Sequence, residues 1–263
     1  MQRLNVVARG LPRSAVLLMT AVLVLAGCKS NGTSGSGGPS GSAAPTTSVP
    51  ASSSPSAPGG ASGSALFPVA VGNTWVYNDT LGATQHGTTT DSITAVTPAA
   101  NGQRVTITTH SDIPGLPATP TELSYVFFSD GSIGVPFAQI GNGEVTVKSG
   151  SIVWPSKAIL DSGQPHTSLL VVRIKTAGHA ITAQAHVTVQ GGGTRTVTVP
   201  AGTYQATLVS QTIAVRVAGI TVTIKVKTWL APGIGPVKSE ASTQTGSVSE
   251  LVSLEVLKSF TQG

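Results

Sequence analysis

The side chains that could catalyse a reaction or bind a metal are few in this chain of 263 residues. Five histidines are present: His86, His110, His166, His179 and His186. None is spaced as His-x-x-x-His, and on a strand His179 and His186 would lie on opposite faces, roughly 23 Å apart. We therefore predict no metal site and no cofactor.

The carboxylates give as little indication of a hydrolase site as the histidines give of a metal site. Four of them could meet as an acid–base pair: Asp112, Glu122, Asp130 and Asp161. Asp130 and Asp161 also have an ordinary role in turns, because Gly131 and Gly163 follow them closely. No Gly-x-Ser-x-Gly motif occurs in residues 65–263. We predict no catalytic residues and a protein that is not an enzyme.

The first 27 residues have the pattern of a secretory signal. Three arginines and no acid precede an apolar run at residues 15–26 that only Thr20 interrupts. As a helix this run would rise about 18 Å, too short for a hydrocarbon core of about 30 Å. A basic start and a short apolar run before small residues indicate export. We assign residues 1–27 to a signal peptide.

The run Leu25-Ala26-Gly27-Cys28 ends this signal and contains the only cysteine of the chain. It resembles the lipobox of bacterial lipoproteins. The resemblance implies that Cys28 carries a diacylglyceryl group and becomes the first residue of the mature chain. Two or more acyl chains would hold it stably in a membrane. We predict an exported protein of the cell envelope, anchored by its N-terminal lipid to the outer face of the membrane.

Composition separates a linker from a folded domain. Of the 36 residues 29–64, 33 are Gly, Ser, Pro, Ala or Thr, so residues 28–64 are predicted to be a lipidated cysteine with a disordered linker. All eleven aromatic side chains fall in residues 65–263, which we assign to one domain. From Cys28 onward 12 Lys and Arg face 10 Asp and Glu, a balance that excludes nucleic acid as a partner.

Period-2 alternation dominates the domain. Residues 181–189 place one set of apolar side chains on one face: Ile181, Ala183, Ala185, Val187 and Val189. If residues 218–219 form a two-residue turn, four pairs follow: Val217 with Ile220, Val215 with Val222, Ile213 with Ile224, and Leu208 with Trp229. The pattern predicts an all-β fold, an antiparallel curved sheet forming a half-barrel or barrel of about ten strands.

Turn signals separate the strands. They are Asn101-Gly102, Asp130-Gly131, Asn142-Gly143 and residues 161–163, 191–193 and 218–219. A helix of one or two turns fits residues 155–160, and residues 249–258 fit a strand better. Near the C-terminus one parity collects apolar side chains: Val248, Val252, Leu254, Val256 and Phe260.

Three segments of the domain are similar to a known group. They are residues 67–77 (FPVAVGNTWVY), 197–204 (VTVPAGTY) and 229–238 (WLAPGIGPVK). Together they resemble a group of bacterial secreted and lipoprotein domains, often labelled TapB-like, across most of residues 66–257. The resemblance implies a curved antiparallel sheet akin to the half-barrel of lipoprotein carriers. It brings no catalytic residues.

Small inward side chains leave two interiors open, a ligand cavity or a filled core. For a cavity, the candidate ligand-binding residues are Ala185, Val187, Val222, Ile224 and Trp229. Arg216, Lys225 and Lys227 form a cationic stripe beside Trp229, which could contact anionic lipid headgroups or simply be solvated.

We predict a non-enzymatic, membrane-anchored envelope lipoprotein that binds an apolar or lipidic ligand. The alternative is a solid-core module that binds an envelope protein or a cell-wall polymer. The second alternative is an envelope hydrolase.

Overall fold

The computed structural model describes residues 66–263, apart from residues 83, 115, 117–118, 136–144, 177–178, 218–219 and 246–247. The signal peptide, Cys28, the linker and the turns predicted at 142–143 and 218–219 lie outside the described residues. In the part of the chain that is described, no helix is long and apolar enough to cross a bilayer.

The described residues form thirteen strands and one short helix. The helix, α1, spans Lys157–Asp161, and its buried residue is Leu160. It lies close to the one or two helical turns predicted from the sequence. The strands are β1 Thr74–Leu81, β2 Gln85–Ala99, β3 Gly102–Ser111, β4 Thr121–Phe128, β5 Ile133–Val135, β6 Val145–Ser149, β7 Ile152–Trp154, β8 His166–Thr176, β9 His179–Val199, β10 Gly202–Val217, β11 Ile220–Ala231, β12 Gly235–Thr245 and β13 Val248–Thr261.

All strands join in one antiparallel sheet, in the order β6-β8-β9-β10-β11-β12-β13-β1-β2-β3-β4-β5-β7. The two end strands of this order, β6 and β7, are not paired with each other, so the described sheet is open. The prediction of an all-β, antiparallel curved sheet is confirmed. The strand count exceeds the expected ten because β5, β6 and β7 have only three to five residues each, too few to show a clear alternation.

The sheet is strongly curved. Trp154 on β7 donates its indole N–H to the side-chain oxygen of Gln211 on β10, at 2.8 Å. In the strand order these two strands are nine positions apart, which would be about 43 Å in a flat sheet. The sheet therefore bends round until its β7 edge reaches the concave face of β10.

The concave face holds two apolar clusters. The first lies mainly on β8–β11 and includes Leu170, Val187, Ile213 and Ile224. The second lies mainly on β1–β5 and β11–β13; its fully buried side chains include Trp75, Ile93, Val105 and Leu257. Alternation produces these clusters directly, because every second side chain of a strand points to the same face.

The predicted hairpin of β10 and β11 is confirmed. Val217 pairs with Ile220, Val215 with Val222, Ile213 with Ile224 and Leu208 with Trp229. Its inward residues Val222, Ile224 and Val226 are buried, whereas Lys225 and Lys227 between them are exposed. The alternation of this segment determines which face is buried, and the two-residue separation of Val217 and Ile220 then fixes the register.

The turn predicted at residues 191–193 is wrong, because these glycines lie inside β9. β9 and β10 shift register there, between Thr207 and Val209. A Cβ on Gly191 would lie 1.8 Å from the backbone oxygen of Leu160, and Gly193 has a φ of +74°. The glycines thus admit a close contact with α1 and a bulge that bends the long strand.

Two bulges interrupt β13. Its pairing with β1 passes over Lys258, and its pairing with β12 passes over Val252. An extra residue in one strand reverses which face the following side chains occupy. The parity of the β13 side chains that point to the concave face therefore changes along the strand.

The single parity predicted for the C-terminal strand is wrong for this reason. Between the bulges, three side chains of the opposite parity face the concave side: Ser253, Glu255 and Leu257. Val256 pairs with Lys238 on β12 and packs against the second cluster only as a partly buried side chain. Phe260, beyond the second bulge, packs on Trp75 with ring centroids 5.3 Å apart.

Candidate functional site

A cavity of about 110 Å³ lies on the concave face, within the β1–β5 half of the curved sheet. Strands β11–β13 and the edge strand β7 complete its wall. Its lining residues are Phe67, Trp75, Tyr77, Thr89, Asp91, Ile107, Thr109, Tyr125, Phe127, Ile133, Val135, Trp154, Thr228, Pro236, Ser239 and Glu255. The wall is mostly apolar with a few polar groups, the usual make-up of small-molecule sites.

The aromatic part of the wall is held in place by packing and hydrogen bonds. Phe67 contacts both Trp75 and Phe127, with ring centroids 5.1 and 5.4 Å apart. Trp75 donates its indole N–H to the backbone oxygen of Ile234 at 2.6 Å. Because the rings are fixed before any ligand arrives, little side-chain entropy would be lost on binding.

The polar part of the wall carries two carboxylates and several hydroxyls. Thr109 donates its hydroxyl to the Asp91 carboxylate at 2.6 Å. Glu255 lies in a row across the sheet, paired with Ser239 on β12 and with the buried Asp79 on β1. Ser239 and Glu255 of this row line the same cavity as Asp91.

The two carboxylates of the cavity wall affect the pKa of a tyrosine. Burial raises the pKa of Tyr125, and the negative charges of Asp91 and Glu255 raise it further. The phenol therefore keeps its proton at neutral pH. Both carboxylates act on a residue of β4, although Glu255 stands four strands away from it in the sheet order.

The ligand-binding candidates from the sequence lie elsewhere. Ala185, Val187, Val222 and Ile224 are all buried in the first cluster and do not line the cavity. Trp229 lies on the opposite face of β11, where the Lys238 ammonium sits 4.9 Å from its ring centroid. The structure thus brings four of the five together, in packed surroundings, and leaves their role in binding a prediction.

Ala185→Phe should destabilise the domain. Ala185 is 1% exposed and pairs with Val215 and Leu170, which are equally buried. Overpacking such a site typically costs about 1–3 kcal/mol. Chemical denaturation measures the loss, with Gln184→Phe on the exposed face of the same strand as control. An unchanged midpoint for Ala185→Phe would show instead that this half of the sheet holds empty space.

The acid and histidine candidates are used in turns and at the surface. Asp112 accepts hydrogen bonds from the backbone N–H and hydroxyl of Thr88, which lower the pKa of Asp112. The hydroxyl and backbone N–H of Ser132 lower the pKa of Asp130 in the same way. Asp161 forms an ion pair with Lys157 at 2.5 Å.

The acid–base pair that the sequence left possible is not formed by these residues, each of which has its own local partner or lies exposed. His186 is exposed on β9. Over the described ranges, no group of three His, Cys, Asp or Glu could hold a metal ion.

Sequence reasoning missed Asp79, Asp91, Tyr125 and Glu255. Asp79 shares the parity of Trp75 and Tyr77, so alternation could have placed it inside. Asp91 stands in a polar run, residues 88–92, that gives no such signal. The bulges of β13 concealed the inward direction of Glu255.

Comparison with known proteins finds a family match for part of the chain. Residues 135–257 match the model of a family described as DUF3108-like. The search of curated proteins gives no significant match. The likeness to the TapB-like group stays a prediction.

Two solved structures share the architecture. A Bacteroides fragilis protein, described as exported and with a YmcC-like fold, aligns at 18% identity and a TM-score of 0.52, over 74% of this chain and 98% of its own. A Parabacteroides distasonis protein described as a lipoprotein aligns at 19% identity and a TM-score of 0.55, over 76% of this chain and all of its own. At these identities the likeness shows the fold alone.

Proposed function

We propose that this protein is a non-enzymatic envelope lipoprotein whose curved sheet binds a small ligand with an apolar body. The observation that carries the proposal is the cavity of about 110 Å³ with its fixed aromatic wall and its few polar groups. An engineered apolar cavity of about 150 Å³ accepts benzene, so this smaller cavity suits a group no larger than one ring, such as one branched head or a short stretch of an acyl chain.

The sequence supports the envelope location. The signal pattern and the lipobox-like run place Cys28 at the start of the mature chain, with a lipid as its anchor. The linker 29–64 would reach roughly 30–36 Å as a flexible coil and hold the domain away from the bilayer. One of the two solved structures that share this fold is described as exported and the other as a lipoprotein.

Native mass spectrometry of the protein extracted from its host membrane tests ligand binding. We expect a bound small molecule in addition to the covalent lipid on Cys28. Ile107→Phe should abolish the extra mass, because Ile107 lines the cavity and the larger ring would fill it. Arg104→Phe, on the exposed face of the same strand, is the control. A wild-type chain without any additional mass would contradict the proposal.

A second candidate is an interaction module for a phosphate-bearing surface. Residues 162–239 contain seven Lys and Arg and no Asp or Glu. On β8, β10 and β11 the exposed cations of this stretch form what we call the cationic face: Arg173, Arg216, Lys225 and Lys227. Such a face attracts anionic lipid headgroups or wall polymers at low ionic strength.

Vesicle sedimentation tests this second candidate. A chain without the lipid on Cys28 should bind vesicles of phosphatidylglycerol in preference to phosphatidylcholine, and salt should weaken the preference. Changing Arg216, Lys225 and Lys227 together to Gln should remove it, at about 1 kcal/mol per charge. The matched control changes Lys157, which forms its ion pair with Asp161 on α1, outside the cationic face. Equal binding to both vesicle types would exclude this module.

A further inference from the structure

We infer that the cavity selects a ligand whose head is a small organic cation, such as a substituted ammonium group. The reason is that its wall combines the carboxylates of Asp91 and Glu255 with aromatic rings. The inference rests on the proposed ligand-binding role and adds the chemical class of the ligand.

The carboxylates belong to the two strands that flank β1. Asp91 on β2 pairs with Trp75, and Glu255 on β13 pairs with Asp79. Between these two positions the concave face of β1 carries Tyr77, which also lines the cavity. The two negative charges therefore flank an aromatic side chain on the cavity wall.

Hydrogen bonding orients one of the carboxylates. The Thr109 hydroxyl holds Asp91 at 2.6 Å, and Thr109 itself lines the cavity. Carboxylates form their strongest hydrogen bonds with charged donors, at shorter distances than with neutral ones. An ammonium group beside Asp91 would meet both a formal negative charge and fixed acceptor oxygens.

The aromatic wall favours the same chemistry. Six of the lining residues are aromatic: Phe67, Trp75, Tyr77, Tyr125, Phe127 and Trp154. The electron-rich faces of such rings attract cations, and the attraction increases when water is excluded. Quaternary ammonium groups are commonly bound by cages of this kind.

The cavity lacks a group that would bind an anion. Among the described residues that line it, none is Lys, Arg or His. Tyr125 keeps its proton because burial and the two carboxylates raise its pKa. A fatty-acid carboxylate in the cavity would lie near the carboxylates of Asp91 and Glu255 with no cationic side chain in the described lining to pair with it, so an anionic head is disfavoured.

Three compounds of nearly equal shape test the inference: choline, the neutral 3,3-dimethylbutan-1-ol and the anionic 3,3-dimethylbutanoate. The full mature chain is held in a nonionic steroid-based detergent, whose rigid body is larger than the cavity. Titration calorimetry gives the affinities, and tryptophan fluorescence reports the site, since Trp75 and Trp154 line it. Choline should bind about tenfold or more tightly than the alcohol, and the butanoate should not bind.

Charge-removing variants identify the source of the selectivity. Glu255→Gln and Asp91→Asn should each reduce the advantage of choline over the alcohol several-fold while leaving the affinity for the alcohol nearly unchanged. Glu240→Gln is the matched control, because Glu240 pairs with Lys238 at 2.8 Å and does not line the cavity. Circular dichroism checks that each variant is folded. If a variant does not fold, the comparison of the three compounds on the wild-type chain still tests the inference.

The possible outcomes separate the inference from the proposed function. If the alcohol or the butanoate binds as tightly as choline, the cationic head is wrong and ligand binding stands. If none of the three binds but native mass spectrometry finds a bound neutral or anionic molecule, the inference again fails alone. If no compound binds and no molecule co-purifies, both fail.

Discussion

Trp75→Ala should lower the free energy of unfolding by about 3–5 kcal/mol, the usual loss when a large buried aromatic side chain is removed. Trp75 is 1% exposed and links distant parts of the chain. Its ring packs on Phe67 and Phe260, and its indole N–H binds Ile234, at the turn before β12. Small domains are stable by about 5–15 kcal/mol, so this single change removes a large share of the total.

Two further variants show how much of this stability comes from the indole hydrogen bond of Trp75 and how much from its place in the core. Trp75→Phe keeps a ring and loses the indole donor, so we expect a smaller loss of about 1–3 kcal/mol. Trp229→Ala removes the same side chain from the other face of the sheet, where Trp229 is only partly buried beside Lys238, and should cost less than Trp75→Ala. Urea or guanidinium denaturation gives all three values. Equal losses for Trp75→Ala and Trp229→Ala would show that the aromatic wall is not the centre of its cluster.

Trp75 also connects stability with the site. It lines the cavity, and its neighbours Phe67 and Tyr77 line it too. A truncated residue 75 would enlarge the cavity and free the rings around it, so ligand affinity should fall together with stability. Ile107→Phe separates the two effects, because it fills the cavity without removing the aromatic cluster.

Cys28→Ser should remove nearly all of the protein from the membrane fraction. The single thiol of the chain is the only group to which a diacylglyceryl lipid can be attached. Two or more acyl chains anchor a protein stably, whereas the domain without them keeps at most a weak, reversible contact with the bilayer. Without the thiol the chain should be released to the soluble fraction or accumulate with its signal peptide uncut.

Cell fractionation with an immunoblot distinguishes these results. Lys29→Ser, which changes the next residue and leaves the thiol, is the matched control and should stay in the membrane fraction. A mass measurement of the wild-type N-terminal peptide should show a lipid on Cys28. Membrane retention of a correctly processed Cys28→Ser protein would contradict the anchor.

The sequence alone determined the class of the fold, because alternation and turn chemistry are local. Val222, Ile224 and Val226 alternate with Lys225 and Lys227, which fixes both the strand and its inward face. The β2–β3 turn also follows from local sequence: Asn101 adopts a φ of +62°, which asparagine tolerates better than most residues. Local patterns of this kind need no knowledge of the rest of the chain.

The interruptions of the strands could not be predicted in this way. The glycines at 191–193 have the composition of a turn, yet they continue β9 because α1 packs closely against them. β13 has one extra residue in its pairing with β1 and another in its pairing with β12. A bulge depends on the partner strand as much as on the bulged one, so period-2 alternation cannot locate it.

Only the tertiary structure decided the site. Alternation tells which face a side chain occupies, but not how far the sheet bends. β1 pairs with β13 from the opposite end of the domain, and the curvature then brings Glu255 and Asp91 to the cavity that Trp154 closes from the edge strand β7. These residues are distant in sequence. That they line one cavity depends on the packing of the whole concave face, which no local pattern records.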